Sequence, residues 1–131
     1  MIASARWTDK DRFTCISSSG HALVVDAGSE KTANSPVELV LIGLCSCTAV
    51  DVVSILRKKR EPFTSVEVFA DAERALEPPK VFTKIKLVYR IGGQVSRKAI
   101  EDAIRLSMDK YCTVEAMLKK TAEINFEIEM V

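Results

Sequence analysis

The sequence predicts an α+β domain: strands near both ends of the chain, one long apolar helix early, and shorter helices late. Three observations carry this. Short strand-like runs fill the first 35 residues, Pro36 to about Arg60 reads as one apolar helix, and the later segments alternate before and after two further helical stretches.

The elements follow in order. Ala3 to Trp7, Phe13 to Ser17 and Ala22 to Asp26 are strand-like, and turn-rich Thr8–Asp11 and Ser18–Gly20 separate them. An antiparallel meander is expected there. Ser35-Pro36-Val37-Glu38 opens a helix, with Ser35 as N-cap, Pro36 at the first helical position and Glu38 completing a capping box. Pro62 stops it. Arg57, Lys58, Lys59 and Arg60 fall in its last turn, where they complement the negative end of the helix dipole. Thr64 to Ala72 places Val66, Val68, Ala70 and Ala72 on one face. Val81 to Ile91 does the same with Val81, Thr83, Ile85, Leu87 and Tyr89. Gly92-Gly93 ends that strand. Ser96 caps a second helix with an apolar stripe of Ala99, Ile100, Ala103 and Ile104. Thr113 is expected to cap a third, short helix through Leu118, and Ile124, Phe126, Ile128 and Met130 mark a closing half-buried strand.

At 131 residues, with 47% hydrophobic and 28% charged, the chain reads as one globular domain spanning 1–131. This excludes a disordered tail, a collagen-like repeat and a disulfide mini-protein. Lys and Arg total 19 against 18 Asp and Glu, a net charge of +1 that gives no general attraction to nucleic acid or to anionic membrane. The longest apolar run, Leu39 to Val50, is bounded by Glu38 and Asp51 and falls short of the ~20 residues that span a bilayer. The first twelve residues hold no apolar signal-peptide core. With four cysteines and no secretory signal, a reducing compartment is expected, by default the cytoplasm.

The first helix has almost no polar face: Leu39, Val40, Leu41, Ile42, Leu44, Val50, Val52, Val53, Ile55 and Leu56 leave no side for water. A helix apolar all round needs cover on every side, and a chain of this size has few elements to give. An obligate homodimer sharing that cover is the expectation.

Cys45, Cys47, Cys112 and the single histidine, His21, invite a zinc reading. Geometry opposes it: two positions apart on a helix, Cys45 and Cys47 point about 200° apart and cannot ligate one ion or pair with each other. No metal or cofactor is expected. Free cysteine is among the most buried residue types, so Cys15, Cys45 and Cys47 also fit as small core residues. Cys112 sits at a helix junction, where free N–H groups favour a thiolate. A long-range dithiol pair between the central helix and this junction is compatible with the spacing, which does not say that the two meet.

Ser35-Pro36-Val37-Glu38-Leu39, the apolar helix with Cys47, and Tyr111-Cys112-Thr113-Val114 together resemble the OsmC/Ohr family. Within it, the chain is most similar to a subgroup whose helix reads G-C-S-x-x-D-V-V-S-I-L, against Ser46-Cys47-Thr48-Ala49-Val50-Asp51-Val52-Val53-Ser54-Ile55-Leu56 here. Aligning back from Asp51 selects Cys47, not Cys45, as the family cysteine. Thr113 departs from the proline that many relatives carry after the second cysteine.

The resemblance implies an intertwined homodimer that reduces organic hydroperoxides. By carry-over, Cys47 is peroxidatic and becomes a sulfenic acid, and Cys112 resolves it to a disulfide. A dithiol reductant, a lipoylated protein or a thioredoxin-type protein, restores both thiols. Glu38 orients an arginine that holds the thiolate, and Arg12 is the best positional match for that arginine, with Arg6 in reserve. A cation is needed because burial alone disfavours a thiolate. Arg57, ten residues beyond Cys47 and roughly 15 Å along the helix, is too far. The alternative reading is a non-enzymatic dimer that senses redox state or binds a small hydrophobe.

Overall fold

A computed structural model describes every residue from Met1 to Val131. The chain forms an α+β fold with two three-stranded sheets. It divides into two compact units, Met1–Ile42 and Gly43–Val131, whose boundary falls inside the long helix.

In the first unit, β1 (Ala3–Asp9), β2 (Arg12–Ser17) and β3 (Ala22–Asp26) form the expected antiparallel meander. A bulge between Trp7 and Asp9 reshapes the first turn, where Lys10 takes φ 45° and its carbonyl accepts the Trp7 indole N–H at 2.8 Å. Gly20 turns the second hairpin at φ 83°, a conformation with no steric cost for glycine. After β3, the Asp26 carboxylate gathers the loop by accepting from the backbone of Gly28 at 2.8 Å and of Thr32 at 3.0 Å, and from the Thr32 hydroxyl.

Helix α1 runs Pro36–Lys58. Its capping box forms as the sequence demands: Glu38 N–H donates to Ser35 Oγ at 3.2 Å and Ser35 N–H to the Glu38 carboxylate at 3.1 Å. The helix ends two residues earlier than the periodicity predicts. Arg60 adopts φ 56°, its N–H reaches the Arg57 carbonyl, and Glu61 N–H reaches Leu56. This is a Schellman ending with arginine at the left-handed position that glycine usually takes, so no sequence signal announced it.

The second unit holds the rest of α1, then β4 (Phe63–Arg74), β5 (Phe82–Gly93), α2 (Arg97–Leu106), a π-helical turn (Ser107–Tyr111), α3 (Thr113–Leu118) and β6 (Glu123–Met130). β4 pairs antiparallel with β5, and β6 pairs parallel with β5. A parallel pair needs a long crossover, which α2, the π turn and α3 supply. Leu44, Thr48, Val52 and Leu56, four apart, are the buried stripe of α1. They join Ile85, Leu87, Tyr89, Ile91, Ile100 and Ile104 as the core of this unit.

Two local expectations change. Val81 and Thr83 are exposed, and Phe82 is buried instead, because the ladder shifts between Glu73 and Arg74 and moves the start of β5 to the other face. Cys112, not Thr113, is the N-cap of α3. The π turn was not foreseen. The 23 residues of α1 include a window of mean hydropathy 2.3, long and apolar enough to cross a bilayer by length and composition, so counting the uninterrupted apolar run understated it. Core helices pass the same test. Opposite the buried stripe, Ile42 and Val50 are exposed, Val50 by 67%, and Val40, one turn before Leu44, is exposed as well.

Candidate functional site: a dithiol between helix α1 and the start of α3

Cys47 and Cys112, 65 positions apart, come together inside the second unit, close enough for Cys47 to act on the Cys112 thiol. Two local structures bring them together. Cys47 precedes Thr48, whose side chain is fully buried, so α1 is rotated with Thr48 inward and Cys47 half-buried at the flank. Cys112 terminates the π turn, its N–H bonded to the Ser107 carbonyl at 2.7 Å, and its extended backbone (φ −72°, ψ 102°) swings the side chain back over the start of α3. Single π turns of this kind recur at functional sites.

A hydroxyl relay fixes both elements. Thr48 Oγ1 lies 2.7 Å from Tyr89 Oη and 2.8 Å from Ser107 Oγ, and Ser107 donates to Asp51 Oδ2 at 2.8 Å. α1, β5 and the π turn are thereby locked in one register. Sequence reasoning missed Thr48, Ser107 and Tyr89. A threonine at the centre of an otherwise apolar stripe was the available signal.

Electrostatically the pair is asymmetric. Burial pushes the Cys112 thiol up to about 12, opposed by the Glu115 N–H, which donates to its sulfur at 3.5 Å. Contact with Cys47 and the nearby Glu115 charge act in the same sense as burial. The expected thiolate at this helix start is therefore corrected: one N–H does not outweigh desolvation. Burial also pushes the Cys45 thiol up. Tyr89 is raised for the same reason.

The remaining site residues lie in the first unit. The Arg12 guanidinium is held by Asp9 (Nε to Oδ1, 2.9 Å), which keeps it firmly protonated, with Asp26 and Glu30 adding negative charge nearby. Arg6 lies on exposed β1, opposite Thr14. Glu38 is engaged in the capping box; the Ser35 hydrogen bonds, helped by Lys31, hold its carboxyl below the ordinary range. His21 bonds Ser19 at 3.0 Å. No three His, Cys, Asp or Glu side chains converge as a metal-ligand set.

Along the outer face of α1 in the second unit runs an open apolar groove of about 670 Å³, lined by Ala49, Val50, Val53, Arg57 and Val66 among others.

A small α+β domain whose central helix carries one cysteine against another at a later helix junction defines a class of protein, and comparison gives it a name. The model of the OsmC-like protein family matches residues 28–127, and the chain belongs to that family. It is 39% identical over 132 aligned residues to protein YhfA of Escherichia coli K12, covering 100% of this chain and 98% of that protein. A hypothetical protein from Aquifex aeolicus has a solved structure that superposes with a TM-score of 0.86 at 30% identity, covering 99% of this chain and 96% of that one. The fold is shared with an organic hydroperoxide resistance protein from Legionella pneumophila (TM-score 0.74, 16% identity, 98% and 95% covered).

Proposed function

We propose that this chain is a cytoplasmic, thiol-dependent reductase of organic hydroperoxides that works as a homodimer. The approach of Cys47 and Cys112, with their elements tied through Ser107, carries the reading. The Cys47 thiolate attacks the terminal peroxide oxygen, the O–O bond breaks, and the alkoxide leaves as an alcohol, so that Cys47 becomes a sulfenic acid. Cys112 sulfur then attacks Cys47 sulfur, the S–O bond breaks and water leaves. A dithiol reductant, lipoylated or thioredoxin-type, reduces the disulfide by two successive exchanges.

Further support comes from the fold shared with a hydroperoxide resistance protein. The exposed Val40, Ile42 and Val50 on α1 support the homodimer, since a second copy would cover them. Arg12, or Arg6, is assigned the cation that steadies the thiolate, and Glu38 its positioning. The Asp9–Arg12 pair favours the second reading, a sensor or small-hydrophobe binder, because the guanidinium already has a carboxylate partner.

Mixing the fully reduced protein with cumene hydroperoxide tests the proposal. Consumption well above that of an unfolded cysteine peptide is expected. Equal rates would replace the enzyme by the sensing or binding reading.

A further inference from the structure

The dithiol chemistry leaves one buried ionisable group unused. Glu115 is only 3% exposed, and its Oε2 is buried without a hydrogen-bond partner. An orphaned buried carboxyl oxygen is uncommon and calls for an explanation.

Its position is set by the cap of α3. Cys112-Thr113-Val114-Glu115 has the spacing of a capping box with cysteine in the capping place. Half of the box forms, since Glu115 N–H donates to Cys112 Sγ at 3.5 Å. The other half has the glutamate accept the N-cap N–H, but that of Cys112 is already taken by Ser107 at 2.7 Å across the π turn. The carboxyl, carried by the residue whose N–H meets Cys112 Sγ, is therefore left without its usual donor. Its charge is felt by Cys112 at the cap and by Tyr89 on β5. Burial pushes the Glu115 carboxyl up to about 7; Lys119 on the last turn of the segment opposes this, and Asp109 on the π turn reinforces it. A group so placed gains and loses a proton near neutrality, where a buried thiol needs help to lose its own.

We propose that Glu115 is the proton exchanger of Cys112, an assignment that rests on the dithiol reading above. As Cys112 sulfur attacks the Cys47 sulfenic acid, the Glu115 carboxylate takes the thiol proton. The S–S bond forms, the Cys47 S–O bond breaks, and Glu115 passes the proton to the departing hydroxide, giving water. In the reverse half-cycle the thiolate of a dithiol reductant attacks Cys47 sulfur, the S–S bond breaks, and the departing Cys112 thiolate takes a proton from the Glu115 carboxylic acid.

The test follows closure of the Cys47–Cys112 disulfide in the full-length reduced protein with two oxidants, cumene hydroperoxide and diamide, from pH 5 to 9. Peptide mass mapping reads the disulfide, and dimedone trapping reads the sulfenic acid. In Glu115→Gln, Cys47 sulfenic acid should form at the wild-type rate, while closure with either oxidant slows at least tenfold and loses the wild-type step near pH 7. Glu115→Leu, which removes the orphaned oxygen altogether, should slow closure equally while melting no lower than wild type, and it keeps the test open if the glutamine variant does not fold. Glu115→Asp should recover part of the rate.

Closure with diamide at the wild-type rate and pH profile in both variants overturns the assignment. Should the peroxide give no sulfenic acid while diamide closure still depends on Glu115, the peroxidase reading falls and the proton exchanger stands.

Discussion

Ser107 Oγ lies 2.8 Å from Thr48 Oγ1, while the Ser107 carbonyl accepts the Cys112 N–H at 2.7 Å. One residue thus touches the neighbour of Cys47 and holds Cys112 itself. The bridge ties the two cysteine-bearing elements together.

Thr48→Val tests the bridge. It keeps the shape of the side chain but leaves the Tyr89 hydroxyl without its Thr48 partner, in a fully buried place, at a cost of about 1–3 kcal/mol. Denaturant unfolding should show that loss with an unchanged slope, and the yield of the Cys47–Cys112 disulfide should fall as α1 loses its registration. A variant as stable as wild type would mean that the hydroxyls are satisfied in some other way.

The identity of the disulfide separates the two helix cysteines. Oxidised protein, digested and mapped, should contain a Cys47–Cys112 link, with Cys15 and Cys45 alkylatable after unfolding. All four are free in the structure. A dominant Cys45–Cys112 peptide would place the wrong sulfur at the site.

The dimer makes a prediction about concentration. Wild-type protein should sediment at twice 14.5 kDa down to low concentration, because the apolar face of α1 is unfit for water. Val50→Asp, at the most exposed apolar position of the helix, should split or unfold it. A compact, stable 14.5 kDa species would end this idea.

Glu115 also gives stability a pH dependence of definite sign. A carboxyl raised from 4.5 to about 7 binds a proton in the folded state that the unfolded chain has already released. Stability from this group is therefore full below about pH 4.5 and falls as pH rises towards 7, by roughly 1–3 kcal/mol. Carboxylates lowered by partners, such as Asp26 and Asp102, act oppositely and only at more acid pH. Subtracting the Glu115→Leu curve from wild type should isolate the fall. A flat difference between pH 4.5 and 7.5 contradicts it.

Much of this was legible in the chain because the signals are local. Ser35-Pro36-Val37-Glu38 encodes a capping box that forms to the atom, and the alternation of Val66 to Ala72 encodes a half-buried strand. Where the reading failed, non-local or subtle geometry decided. The start of β5 changed face because of a bulge across the ladder, and α1 ended on an arginine in a glycine conformation. The π turn, set by Cys112 N–H bonding five residues back, has no compositional mark. At the site, Cys47 and Cys112 were selected through the resemblance, and no periodicity links residues 65 apart. Glu115 had a signal in its Cys-x-x-Glu spacing, hidden because cysteine is not counted among capping residues.

The chemistry divides the remaining residues by role. Cys47→Ser should abolish turnover of cumene and fatty-acid hydroperoxides, since a hydroxyl is a far poorer nucleophile than a thiolate. Cys112→Ser should reduce one peroxide per chain and then accumulate sulfenic and sulfinic acid at Cys47, because nothing resolves it. Arg12→Ala removes a guanidinium that is now paired with Asp9, so two outcomes are distinct. If Arg12 steadies the thiolate, the first oxidation of Cys47 slows by an order of magnitude or more, and the slowing is greatest at low pH. If the Asp9 pair is its whole role, oxidation is unchanged, and stability shifts by less than about 1 kcal/mol, as for most exposed ion pairs. Glu38→Ala should slow oxidation more mildly, and its loss of the capping box should cost about 1 kcal/mol of stability in parallel. Stopped-flow oxidation across pH 5 to 9, with unfolding measured on the same samples, tells a slowed thiolate from a loosened helix. Should Arg12→Ala and Arg6→Ala both oxidise at the wild-type rate, the cation at this site comes from neither arginine.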